Sequence, residues 1–129
     1  MEEISLKLKT LEPPAFALCR FSPGTGWPGW TAESRYLFLA RTEDEISVMC
    51  EETLVPPDIK CELGWRGFRV EGKLPFELTG ILAALSGTLS RAGIALFAIS
   101  TFDTDYLWVK RENWEVAVRA LEEAGHRFV

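Results

Sequence analysis

Leu78-Thr79-Gly80-Ile81-Leu82-Ala83-Ala84-Leu85 opens a helical stripe, and the apolar run from Ile94 to Ile99 behind it ends in Ser100-Thr101-Phe102-Asp103-Thr104-Asp105. Residues 65–129 read by period as strand, helix, strand, strand, helix, strand. Trp65 to Glu71 alternates as a strand. Residues 79–92 put Ile81, Leu82, Leu85, Leu89 and Ala92 on one face, with Thr79 as the expected N-cap and Gly93 just past the end. Ile94 to Ile99 is expected to be a central strand covered on both faces. Tyr106 to Lys110 makes the next strand, and Trp114, Ala117, Val118 and Leu121 repeat at helical spacing up to Gly125. His126 to Val129 closes the set. This is a split βαβ layout, in which the start of the first helix faces a polar strand end.

The first half gives shorter signals. Ile4, Leu6 and Leu8 alternate with polar residues, Ala15 to Phe21 reads as a strand, and Tyr36 to Ala40 and Ile46 to Cys50 flank the acidic tip Thr42-Glu43-Asp44-Glu45. The loop Ser22 to Trp30 is expected to be pinned by Trp27 and Trp30, and Glu51 to Leu63 suits a short helical turn and a crossover. One echo links the halves: Thr42 to Met49 resembles Thr101 to Val109, each a Thr, an acidic tight turn and a strand. Two related modules are therefore expected, residues 1–64 and residues 65–129.

Composition narrows the function. A net charge of −5 and a pI near 4.9 speak against a phosphate-backbone partner, so nucleic acid is not expected. No stretch approaches the roughly 18 uninterrupted apolar residues of a spanning helix, and Met1-Glu2-Glu3 lacks a basic leader region, so neither membrane insertion nor secretion is expected. Three cysteines, Cys19, Cys50 and Cys61, without CxxC spacing, fit a reduced cytoplasmic chain in which each is a small buried apolar residue. His126 is the only histidine and has no local nucleophile motif. No catalytic residue, metal site or cofactor is expected.

The segments 42–48, 65–72, 76–85, 93–99 and 100–105 resemble the ACT domain, specifically small bacterial tandem ACT proteins and the ACT modules of the eukaryotic cytosolic arginine sensor. The resemblance implies an α+β fold of two ferredoxin-like βαββαβ modules in tandem, antiparallel sheets with helices on one face. It implies a non-catalytic regulatory protein that binds an amino acid at a module or subunit interface. Carried over, Thr79, Gly80 and Ile81 would offer backbone contacts, Thr101 and Phe102 would line the pocket, and Asp105 would meet a cationic group. A homodimer is expected, together with a protein partner whose association the ligand regulates. The alternative is an ACT-like scaffold that associates without a ligand, with Gly80 serving helix packing and Asp105 the hairpin turn.

Overall fold

The computed structural model describes residues 4–72 and 79–129. It contains β1 (Lys7–Thr10), β2 (Phe16–Phe21), β3 (Phe38–Arg41), β4 (Ile46–Glu51), β5 (Cys61–Val70), α1 (Ile81–Arg91), β6 (Leu96–Ser100), β7 (Asp105–Lys110), α2 (Trp114–Glu123) and β8 (Arg127–Phe128). The chain forms two compact units, Pro13–Trp65 and a second made of Met1–Glu12 with Arg66–Val129. The opening strand groups with the second half of the chain and not with the strands that follow it. Its partners explain this: Leu8 faces Val70 across an antiparallel pair with β5, and Phe128 across a parallel pair with β8.

In the second unit the sheet order is β6-β7-β5-β1-β8. A ferredoxin-like split βαβ would place its last strand directly beside its first; here β1 stands between them. Both helices end as the sequence predicts. Gly93 donates to the Ser90 carbonyl and Ile94 to that of Leu89, while Gly125 donates to Glu122 and His126 to Leu121, the same closing pair of bonds at each C-terminus. The helices bury Leu85, Leu89, Ala117 and Leu121 against Leu8, Phe68, Val70, Leu107 and Val109. Each large apolar side chain buried there contributes about 1.5–3 kcal/mol.

Three expectations shift. Leu82 is 37% exposed, and Thr88 takes the inward position instead, its hydroxyl satisfied by the Ala84 carbonyl at 2.9 Å. Thr79 does not cap α1; the chain enters through Gly80 at φ +84, a left-handed turn that a side chain would strain. Among the described residues the apolar run around β6 pairs with β7 alone and is half-buried up to Ile99, so it stands at an edge and not at the centre of the sheet.

The first unit has strands in the order β3-β4-β2-β5, which is the ferredoxin-like order when β2, β3, β4 and the start of β5 are taken as its successive strands. Among its described residues there is no α-helix. A 3₁₀ turn at Gly29–Glu33 and another at Glu52–Leu54 occupy the two helical places. The core consists of Ala17, Cys19, Ile46, Val48 and Cys50, with Trp30 and Phe21 packed edge to face over it. Trp30 is therefore an anchor, whereas Trp27 is 47% exposed.

His126 is buried, and its Nδ1 accepts the Leu6 N–H at 3.1 Å. Burial lowers its pKa from the ordinary 6.5. The unfolded chain then binds more protons than the folded one below pH 6.5, so this residue's contribution is full above that pH and declines as the pH falls through the lowered folded value. Melting curves from pH 8 to 5 should show a decline that His126→Asn, whose Oδ1 can accept the same N–H, reduces. An identical decline in both proteins would assign it to other groups.

Candidate functional site

The end of β5 is where sequence and topology bring polar groups together. The β6–β7 turn is tied to it by the Thr104 hydroxyl, which donates to the buried Val70 carbonyl at 2.7 Å. Within the turn, Thr101 N–H donates to the Thr104 carbonyl at 2.9 Å, and the Thr101 hydroxyl to the same oxygen at 3.0 Å. The β3–β4 turn of the first unit repeats this plan: Thr42 N–H donates to the Glu45 carbonyl at 2.9 Å. The Thr42 hydroxyl accepts from the Glu45 N–H as the Thr101 hydroxyl accepts from the Thr104 N–H. The echo in the sequence is thus a shared Thr-capped turn.

Beside the β6–β7 turn lies a hollow of about 240 Å³, lined by Arg69, Val70, Glu71, Gly72, Asp103, Thr104 and Tyr106. Arg69 and Glu71 pair at 3.4 Å and are both partly exposed. An ion pair so open to water is worth about 1 kcal/mol or less, so a ligand carrying both charges could exchange with it at small cost. The hollow therefore offers a guanidinium for a carboxylate, two carboxylates for a cation, and the edge of a phenol.

None of the predicted ligand residues lines the hollow. Asp105 begins β7 opposite Ser100, whose hydroxyl donates to its carboxylate. Thr101 is exposed and spends its hydroxyl inside the turn, and Phe102 at the tip is 79% exposed. Gly80 is exposed, with the Ile4 methyl as the nearest neighbour to its missing Cβ, on the lead-in to β1; Ile81 is a core residue. Leu78 and the approach to Gly80 from residue 73 lie outside the described residues. Among the described residues no group of three His, Cys, Asp or Glu is placed to hold a metal ion, and no helix is long and apolar enough to cross a membrane.

Residues 60–123 match the ACT domain model, which spans β5, α1, β6, β7 and α2 and stops short of β1 and β8. Residues 14–58 match a model described as an N-terminal domain, covering most of the first unit. Protein Atu0741 from Agobacterium tumefaciens is 32% identical, with a TM-score of 0.91 over 98% of this chain and 93% of that one. The chain belongs to that protein's family. It carries an ACT domain in its second half. The regulatory subunit of aspartate kinase from Thermus thermophilus has a related fold, at 12% identity and a TM-score of 0.57, over 93% of this chain and 95% of that one. The aspartate kinase of Clostridium acetobutylicum matches at 13% identity and a TM-score of 0.64 over 91% of this chain but 33% of the enzyme. No curated protein matches.

Arg69, Glu71 and Asp103 were not among the ACT residues expected from sequence. The signal for them was present: Arg69 and Glu71 alternate onto one face just before Gly72, and Asp103 lies inside the turn already singled out.

Proposed function

We propose that this is a non-catalytic cytoplasmic regulatory protein whose ACT unit binds a small zwitterion, an amino acid, at the end of β5. The observation that carries the reading is the hollow in which Arg69, Glu71 and Asp103 present charges of both signs beside a turn fastened to β5 by Thr104. The Arg69 guanidinium meets the ligand carboxylate, and the acidic groups meet its ammonium or cationic side chain. In this reading Asp105 and the amides following Gly80, where a helix start favours negative charge, add further contacts to the ligand. The tandem ferredoxin-like reading of the two units and the likeness to the arginine sensor's modules belong to this proposal. So does a homodimer, for which β6 offers a flank that no strand among the described residues of the second unit fills. Signalling needs only a ligand that prefers one arrangement of the protein over another.

A melting screen against the common amino acids tests the proposal. One of them should raise stability by about 2.7 kcal/mol at a hundredfold excess over its Kd. Asp105→Ala and Arg69→Ala should each reduce that shift while leaving the unliganded melting temperature nearly unchanged, because both side chains are partly exposed. Silence across the screen would favour the ligand-free scaffold, a reading to which the 79% exposure of Phe102 lends weight. Equal shifts in mutants and wild type would remove the site from this end of the sheet.

A further inference from the structure

The first unit gathers its three cysteines on one face of one sheet, and their register differs in a way that matters chemically. Cys19 on β2 stands directly opposite Cys61 on β5. The next pair along, Arg20 and Lys60, is joined by the Arg20 N–H and the Lys60 carbonyl at 3.0 Å. Cys19 and Cys61 therefore form a non-hydrogen-bonded pair, for which Cα atoms lie roughly 4.5 Å apart with side chains close together. That spacing lies inside the range of about 4.4–6.8 Å that a disulfide spans. Cys50 is opposite Ala17 instead, which makes it a diagonal neighbour of Cys19. Diagonal positions are roughly 7–8 Å apart at Cα, so although the Cys50 thiol lies within hydrogen-bonding reach of Cys19, a bond between them needs a backbone shift that the directly opposed Cys61 does not.

Access differs as well. Cys19 and Cys50 are buried, whereas Cys61 is partly exposed at the margin of the core they share. We propose that Cys61 and Cys19 form a thiol site for hydroperoxides, closing to a reversible disulfide between β2 and β5. The Cys61 thiolate attacks the outer oxygen of the peroxide; the O–O bond breaks, an alcohol or water leaves, and Cys61 becomes a sulfenic acid. The Cys19 sulfur then displaces hydroxide from that sulfur, which leaves as water with the thiol proton. The two electrons lost by the thiols reduce the peroxide. Burial first, then the neighbouring thiol Cys19 and the carboxylates of Glu62 and Glu52, push the Cys61 thiol up from its ordinary value of 9.0, so the reaction should quicken as the pH rises.

The test is to treat the purified full chain with hydrogen peroxide, alkylate it under denaturing conditions, and map its peptides. The expected product has lost two hydrogens, contains a Cys19–Cys61 link with Cys50 alkylated, and returns to the starting mass in dithiothreitol. Cys50→Ala should form the same link and Cys61→Ser none; the latter, altered at a partly exposed position, is checked for folding by its melting curve. A Cys19–Cys50 bridge, a bridge between chains, oxygen addition at Cys61 without a link, or all three thiols still alkylated would each overturn the proposal.

Discussion

Replacing Gly67 with alanine should lower the melting temperature by roughly 10 °C, an overpacking cost of about 2–3 kcal/mol. Gly67 is buried on β5, and a Cβ added there would lie 2.5 Å from Nε1 and 2.6 Å from Cδ1 of the Trp108 indole, and 3.0 Å from a Leu11 methyl. Trp108 has no exposed surface, so its rigid ring cannot swing clear as the end of a flexible chain would. It is also stacked on Tyr106 and packed against Phe97, with centroids 6.2 and 6.0 Å away. The glycine is thus the small half of a large–small pair across two neighbouring strands. Pairing the change with Trp108→Phe isolates the cause, since the smaller ring lacks the indole Nε1 that makes the nearest clash. The added cost of Gly67→Ala should be smaller in that background, and additive costs would locate the strain elsewhere.

Phe68→Ala should be still more damaging, by about 3–5 kcal/mol. The ring is fully buried on the opposite face of β5 and completes a three-ring cluster. Its centroid is 6.2 Å from that of Trp114 and 5.6 Å from that of Phe128, and those two are 5.9 Å apart. Truncation therefore leaves a cavity among a strand, the first turn of α2 and the final strand at once. Trp114 also supports the Arg66 guanidinium, which lies 4.6 Å from its ring, so tryptophan emission should shift as the cluster loosens. Phe68→Leu fills most of the space and should cost about 1.5 kcal/mol or less. Similar melting for all three proteins would show that the cluster contributes little.

The helices of the second unit were legible because their stripes and terminal glycines agree: α2 buries Trp114, Ala117 and Leu121, all on the predicted face. The turns were legible for the same local reason, since Thr42 and Thr101 carry their own hydrogen-bond plan. What depended on distant partners was not. Ile94 to Ile99 is apolar enough for a central strand, yet nothing in it records that β7 is its sole strand neighbour among the described residues. The pairing of β1 with β5 and β8 was equally invisible, because alternation in residues 4–8 reports a half-buried strand without naming its partner. At the candidate site, the turn was found and the arginine and carboxylates of β5 were not, since their meeting with Asp103 is made by the fold and not by spacing along the chain.

The place of β1 sets an order of assembly. Residues 7–10 precede both of their neighbours, so they wait for Val70 to complete the pair with β5 and for Phe128 to complete the pair with β8. The Pro13–Trp65 unit, by contrast, has all its own strands once Trp65 has emerged. During translation the early segment is an unpaired strand in search of a template, and a ribosome that stalls before Arg127 leaves it one neighbour short.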